Sequence, residues 1–319
     1  MIWITYEINE KLSEKFGNFI IKKFFMKKTI LLTGWSGFIG RNIRESYLWK
    51  KYNIIAPTHG DLDIASTDFV DDFFIGKYFD IVLHTAVKPY HRAATDRSNL
   101  LYTNLRMFEN LERNCDRFGK FINFGSWAIY DVAKNNSGVS EDDIYKNMGV
   151  DELSFTKYII QKQIDNLPNF INLNIFGIFW KYEEYSIRFI SNAITKTLFK
   201  LPITLRQNRR FSYLYIDDLM PIIEWFIENE PKFKSYNIVP DDYVELKNIA
   251  YTIANFAGGN DVKIANDWYW LDYYGSNARL KNEYNDVKFT PINDAIMDLY
   301  DYYTKNINLI NKELLLFDK

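Results

Sequence analysis

The sequence predicts an α/β protein, a doubly wound, Rossmann-like parallel sheet followed by a smaller C-terminal substrate-binding lobe. Three observations carry this. From Lys28 onward, short apolar runs alternate with segments of helical period, the pattern of parallel βαβ units covered on both faces. The stretch TGWSGFIG, Thr33 to Gly40, sets glycines at 34, 37 and 40 between the first strand and the first helix. The 319 residues, 47% of them hydrophobic, supply a substantial core with no metal or disulfide staple.

Element by element, residues 1–25 carry Ile8, Leu12, Phe16, Phe19 or Ile20, and Phe24 at helical spacing and are expected to form an amphipathic extension. With Glu7, Glu10 and Glu14 and no small-residue cleavage site after an apolar run, this segment is not expected to be a signal peptide. A helix on the domain or subunit surface, a membrane-surface helix and a poorly ordered extension stay open for this segment. Residues 26–175 are expected to be the dinucleotide-binding domain. Its strands are KKTILLTG, NIIAPT, DIVLHTAV, FINFGS and FINLNIF; its helices are FIGRNIRESYLWKKY, TDFVDDFFIGKY, Arg97 to Arg117 and Glu152 to Ile164. Residues 176–319 are expected to form mainly the substrate lobe, with elements free to return to the main sheet. They hold the helix YSIRFISNAITKTLF, the strand RRFSYLYI, the helix DDLMPIIEWFIEN with Pro221 in its first turn, the strand YNIV and the helices VELKNIAYTIANF and NDAIMDLYDYYTK.

Composition narrows the function. A net charge of −2 argues against nucleic acid as partner, since phosphate binding needs concentrated Lys and Arg. Cys115 is the only cysteine, and His59, His84 and His91 are scattered, so no metal site is expected. No run of 18 apolar residues predicts a membrane span, and a cytoplasmic location is expected.

The glycine turn points to a dinucleotide. Gly34 permits the tight turn, Gly37 clears the approach of a pyrophosphate, and Gly40 lets the helix pack on the strand. The helix start adds free N–H donors and a positive dipole end. Gly34, Trp35, Ser36, Gly37, Phe38, Ile39 and Gly40 are therefore the candidate cradle, with Arg41 next. NAD selectivity wants a carboxylate about 20 residues beyond the glycines. Here NIIAPT runs into Thr58 and His59, while Asp61 and Asp63 come late. Arg41 could meet a 2′-phosphate or be an ordinary exposed arginine, and NADP is placed just ahead of NAD.

TGWSGFIG, the strand end HTA at His84–Ala86, Asn104, FGSWAIY at 124–130, SFTK ending at Lys157, and NIFGIFWKYEEY followed by YLYIDDL together carry a resemblance. From about Lys28 to about Tyr303 the chain resembles the extended short-chain dehydrogenase/reductase family, of the NAD-dependent epimerase/dehydratase type that modifies nucleotide sugars. The resemblance implies that Asp61, Leu62, Thr85, Ala86, Asn104 and Lys157 also meet the cofactor. It implies a Ser–Tyr–Lys set in which the Tyr exchanges a proton with the sugar oxygen, the Lys lowers its pKa and bonds the nicotinamide ribose, and the Ser bonds the substrate oxygen. Ser126 and Lys157 match. The tyrosine position, four residues before Lys157, is Leu153.

A leucine moves no proton. Tyr158 with Lys162 repeats the spacing, but five residues further on, rotating the face by about 140°. Tyr130 or Tyr145 could supply a hydroxyl from another direction, as could a substrate hydroxyl or water. On the substrate side, Asn174 stands where the family commonly has Arg, and Trp180 where it has glycine. Arg188, Arg209 and Arg210 are candidates for a diphosphate, because guanidinium offers a planar charged fork. No carboxylate follows Ser126, which disfavours dehydration. Two function classes result. One is a nucleotide-diphosphate-sugar oxidoreductase or epimerase, by 4-keto reduction or epimerisation. The other is a catalytically impaired relative that binds a dinucleotide or sugar nucleotide in a regulatory or partner role. A homodimer is expected through the helices of Asn104 and Lys157, with Phe108, Leu111 and Ile160 in the seam.

Overall fold

The strand TILLT is apolar along its length because it lies inside a sheet covered on both faces, where near-continuous apolar runs replace simple alternation. The computed structural model describes residues 27–91, 94–131, 133–146, 148–269 and 271–316, and the amphipathic extension expected at 1–25 lies outside them. Six strands form the main sheet: β1 (Thr29–Thr33), β2 (Asn53–Ile55), β3 (Phe79–His84), β4 (Phe118–Ser126), β5 (Phe170–Ile175) and β6 (Ser235–Ile238). Their order is β6-β5-β4-β3-β1-β2, every pair parallel. The winding direction reverses between β1 and β3, and ligands of open α/β sheets bind beyond the strand ends at such a switch point. Register aligns Thr33 with His84 and His84 with Asn123, so these polar residues share the sheet's carboxyl end.

The helices of eight residues or more are α1 (Phe38–Glu45), α2 (Thr67–Phe74), α3 (Leu100–Glu112), α4 (Glu152–Ile164), α5 (Phe189–Leu198), α6 (Ile216–Glu228), α7 (Leu246–Phe256) and α8 (Ile292–Lys305), with shorter ones at Tyr47–Lys51 and Ala278–Glu283. Successive β1 side chains point to opposite faces. Ile30 and Leu32 join Ile43 of α1 and Leu219, Ile223 and Phe226 of α6, while Leu31 joins Phe74, Phe108, Leu111, Ile160 and Ile164 from α2, α3 and α4. Phe108, Leu111 and Ile160 are therefore interior to the subunit, and the seam expected of them is corrected: these three have no face left for a partner. The helix expected from Arg97 to Arg117 is shorter. It starts after Asn99 in the left-handed region (φ 51°) and gives way to a 3-10 turn at Cys115–Arg117.

The second lobe packs α5, α7 and α8 around Phe179, Ile194, Ile249, Ile253, Ile296 and Leu299. α6 and β6 leave this lobe and return to the main sheet, β6 pairing with β5. Pro221 is the sixth residue of α6, not in its first turn, because the helix begins at Ile216. It forgoes the bond an N–H there would make to the carbonyl four residues back. RRFSYLYI divides into two strands. Arg210–Phe211 pairs with Val244–Glu245 and Tyr273–Gly275, and Leu214–Tyr215 pairs with Ile178–Phe179. The parallel pair Ile203–Asn208 and Val262–Tyr269 alternates apolar and polar residues only over Ile203–Leu205 and Val262–Ile264, too short a run to announce it. Among the described residues no helix is long and apolar enough to cross a membrane.

Candidate active site

The turn between β1 and α1 is built around absent side chains. Gly34 has φ +73°, and a Cβ there would lie 2.5 Å from the Ala86 nitrogen at the exit of β3. A Cβ on Gly40 would lie 2.4 Å from the Gly34 oxygen. Gly37 differs: its nearest neighbour would be 3.2 Å away, and it is exposed at the N-cap of α1 with no side chain capping the helix. The first-turn N–H groups of α1 thus face outward beside exposed Ser36, an arrangement suited to an anionic diphosphate. Phe38 and Ile39 are half-buried against the core with Trp35, whose ring lies 4.9 Å from the Arg44 guanidinium. Exposed Arg41 has its guanidinium 5.6 Å from the Tyr182 ring centroid. These residues fit a dinucleotide, since the cradle is one that a Cβ would fill.

Beyond β2 the acids are committed elsewhere. Asp61 accepts from the Thr58 nitrogen (3.1 Å) and Oγ1 (2.6 Å), bonds that hold its carboxyl below the ordinary aspartate value. Leu62 is 4% exposed and packs in the α2–α3 core, with its N–H on the Thr58 carbonyl, so it presents neither side chain nor donor to a ligand.

At the exit of β3, Thr33 Oγ1 shares a 2.8 Å hydrogen bond with His84 Nδ1, and Thr85 Oγ1 donates to the Thr33 carbonyl at 2.7 Å. Ala86 lies against Gly34. Burial, then the neighbouring Lys157 charge, push the His84 imidazole down to about 3, so it is neutral. Asn104 is buried, accepting from the Lys88 N–H (2.8 Å) and donating to the Leu100 carbonyl (3.0 Å). Its amide fixes the chain leaving β3 and is spent in doing so.

Ser126 ends β4, where Oγ accepts from the Ala128 N–H at 3.2 Å. The turn after it, Trp127–Ile129, packs against α4. Asp151 caps α4 by accepting from the Leu153 and Ser154 N–H groups, which sets Leu153 one turn before Lys157 on the same face. Lys157 is half-buried, and among the described residues Nζ has no hydrogen-bond or ion-pair partner. Burial pulls its ammonium down to about 8.

The alternative hydroxyls are not brought to this face. Tyr130 is buried and donates to Asn237 Oδ1 at 2.7 Å; burial raises its phenol well above the ordinary value. Tyr145 donates to Asp165, at the far end of α4, with Lys162 Nζ 3.6 Å from its ring centroid. Tyr158 stacks edge-on with Tyr145, so the shifted Tyr158–Lys162 pair belongs to that surface cluster.

On the substrate side, Asn174 is fully buried in an amide network, accepting from Asn172 (2.9 Å) and donating to Asn237 (3.4 Å). That corrects its placement as a substrate contact. Trp180 is half-buried with its ring 4.9 Å from Tyr215 and 6.2 Å from Tyr302, at the junction of the two cores. Arg210 is taken by Asp272 through Nε (3.0 Å) and Nη2, between the Tyr243 and Tyr274 rings at 5.2 and 5.4 Å. Arg188, exposed, and Arg209, half-buried, have no hydrogen-bond partner for their guanidinium groups among the described residues. Both act electrostatically on the Tyr213 hydroxyl. Two groups went unrecognised from sequence. Tyr213 falls between the two short strands read as one. Glu183, in the polar run KYEE, is buried, accepts from Ser191 and is pushed up to about 8 by burial. No periodicity marks a buried acid in such a run.

Residues 30–239 match the NAD dependent epimerase/dehydratase family. A GDP-L-fucose synthase of Azorhizobium caulinodans is 29% identical over 168 residues, 47% of this chain and 53% of the relative. The chain thus spans about half the length of that protein. A GDP-L-colitose synthase of Yersinia pseudotuberculosis is 24% identical over 226 residues, 64% of this chain and 73% of the relative. Among solved structures, a GDP-mannoheptose C4 reductase of Campylobacter jejuni with NADP bound superposes with a TM-score of 0.74 at 19% identity, covering 87% of this chain and 98% of that one.

Proposed function

For this chain, which belongs to the NAD dependent epimerase/dehydratase family, we propose the activity of a nicotinamide-dependent reductase or epimerase of nucleotide-diphosphate sugars, working at a sugar C4 carbonyl or hydroxyl. The observation that carries this reading is the glycine cradle at the switch point, with Ser126 ending β4 of the same sheet and Lys157 near enough to His84 for its charge to act on the imidazole. The Gly34–Gly40 turn would hold the dinucleotide pyrophosphate, and Lys157 its nicotinamide ribose. When bound, the nicotinamide supplies or accepts a hydride. Ser126 donates to the sugar oxygen, and Arg188 and Arg209 hold the diphosphate of the substrate by charge-assisted bonds. NADP is preferred to NAD: Arg41 is exposed next to the cradle, and Asp61 is tied to Thr58. Calorimetric titration with NADPH tests the assignment. Gly37→Asp places a carboxylate where the pyrophosphate must lie and is expected to weaken binding at least roughly tenfold. Equal affinities of folded wild type and variant would remove the cradle from the argument.

One observation favours the second reading, a binding protein without turnover: the residue one helical turn before Lys157 is Leu153, which has no proton to exchange. Wild-type oxidation of NADPH by a GDP-4-keto-hexose decides between the two.

The proposed assembly is a homodimer pairing α3 and α4 of two subunits about a two-fold axis. With Phe108, Leu111 and Ile160 interior, the contact must use side chains still presented by these helices, such as Tyr102, 64% exposed, and half-buried Leu105 and Ile159. Light scattering is expected to give twice the 38.0 kDa chain mass at micromolar concentration. A constant monomer mass would count against it.

A further inference from the structure

Resting on the reductase or epimerase reading, we propose that Lys157 itself gives and takes the proton of the sugar C4 oxygen, in place of the phenol that Leu153 cannot provide. Positions 153 and 157 lie one helical turn apart on α4, about 6 Å along its axis. A leucine is shorter than a tyrosine and carries no exchangeable proton. Of the two positions on that face, only Lys157 carries an ionisable group. The alternative tyrosines and the histidine of the neighbourhood are spent, Tyr130 on Asn237, Tyr145 on Asp165 and His84 Nδ1 on Thr33, while Ser126 offers a hydrogen bond but no group that ionises near neutral pH.

The surroundings of Lys157 also suit a proton that leaves. The elements packed against α4 are α3, the Trp127–Ile129 turn and β5. The turn and β5 contribute no ionisable side chain. α3 carries Tyr102, Arg106, Glu109 and Glu112. Arg106 bonds the Ala65 carbonyl and Thr67, and Glu109 meets Gln163, well along the helix from Lys157. On α4 itself, Asp151 is engaged as the cap, Glu152 accepts from the Leu101 N–H, and Lys162 and Asp165 belong to the Tyr145 cluster. From β3 comes His84, neutral at working pH. Among the described residues no carboxylate pins the ammonium, and burial brings it down to about 8. A general acid works best with a pKa near the operating pH, and buried lysines reach that range. A lysine serving only to charge-stabilise a phenolate and hold ribose has no need of it.

In the reductive direction the proton moves from Lys157 Nζ to the C4 oxygen while the C4 carbon takes the hydride, giving an alcohol. The neutral amine then regains a proton from water. In the oxidative direction the neutral amine accepts the hydroxyl proton. The reductive rate therefore needs the ammonium and falls as pH rises through about 8; the oxidative rate rises through the same interval.

The test is single-turnover oxidation of NADPH by a GDP-4-keto-hexose across pH 6 to 10, with wild type and Lys157→Arg. Arginine keeps the positive charge but does not titrate. The expected result is a break near pH 8 in wild type. In Lys157→Arg the break is absent and the rate at pH 7 is lower by roughly 10²-fold or more, the ordinary worth of a positioned proton donor. A second readout is independent of turnover: pH-dependent acylation of Lys157 in the folded protein, followed by mass spectrometry, with a midpoint near 8. A break that survives in Lys157→Arg, or a labelling midpoint at 10 or above, overturns the inference and leaves the functional reading in place. Failure of wild type to oxidise NADPH with any GDP-4-keto-hexose that it binds overturns the reading, and the inference with it.

Discussion

Gly34→Ala is expected to lower the melting temperature by several degrees and to remove measurable NADPH binding, while Gly37→Ala leaves stability near wild type. The two glycines are three residues apart in one turn, yet their surroundings differ. Gly34 sits at φ +73°, where an L side chain costs about 1–2 kcal/mol. Its Cβ would also press to 2.5 Å of the Ala86 nitrogen and 2.8 Å of the Thr85 carbonyl carbon, backbone atoms that cannot swing aside. Moving them disturbs Thr85, whose hydroxyl bonds the Thr33 carbonyl, and with it the alignment of β1 and β3. Forced overpacking typically costs a further 1–3 kcal/mol, which for a domain of this class shifts the midpoint by roughly 2–4 °C per kcal/mol. Gly37 has an ordinary φ of −77° and its Cβ would meet only the Gly34 oxygen, at 3.2 Å. Thermal unfolding with and without NADPH separates the effects, because a ligand that binds only the folded state raises its midpoint by mass action. Equal midpoints for both alanine variants would show that the approach of Gly34 to Ala86 is looser than the structure gives.

The same turn shows why part of this protein is legible in its sequence. Glycines at 34, 37 and 40 are read through what they lack, and a missing side chain has few explanations once strand and helix flank it. The parallel strands are legible for a related reason: full burial on both faces forces apolar residues at successive positions, as in TILLT. Polar side chains are another matter. Residue type shows that Arg210, Asn174, Tyr130 and Asn104 can bond a ligand, but not that Asp272, Asn172, Asn237 and Lys88 already satisfy them. Asp272, Asn237 and Lys88 come from other strands and loops, 107 residues away for Tyr130, and only tertiary packing brings them in; Asn172 sits two residues from Asn174 on the same strand, and burial of that face turns the two amides on each other. Short strands such as Arg210–Phe211 and Leu214–Tyr215 are invisible for the converse reason, because two residues cannot display a period. Glu183 is the extreme case: an acid in a run of polar residues reads as solvated, although Ser191 and the lobe interior enclose it.

Leu153→Tyr is expected to raise the rate of NADPH oxidation by a GDP-4-keto-hexose by roughly tenfold or more, the 10²–10⁴-fold of an ideally positioned proton-transfer group being the ceiling. Leu153 is the second residue of α4 and half-buried, so a larger ring at this position extends toward the face it shares with Lys157 instead of displacing core. The backbone there is already fixed, since Asp151 accepts from the N–H groups of residues 153 and 154. A phenol one turn from the Lys157 ammonium has its ionised form favoured by the charge. The lysine would then act through the ring as well as alone, so the two residues should be coupled. Lys157→Met alone and together with Leu153→Tyr completes a double-mutant cycle, and residues that act as a unit give a strongly non-additive result. The expected signature is a tyrosine gain that vanishes when Lys157 is methionine. A gain that persists without the lysine would mean the new phenol works from elsewhere. No gain in a folded variant with unchanged NADPH affinity would mean that the α4 face does not meet the sugar oxygen. In that case the groups to remove next are Glu183, Tyr213 and His91, each of which feels the charge of Arg188.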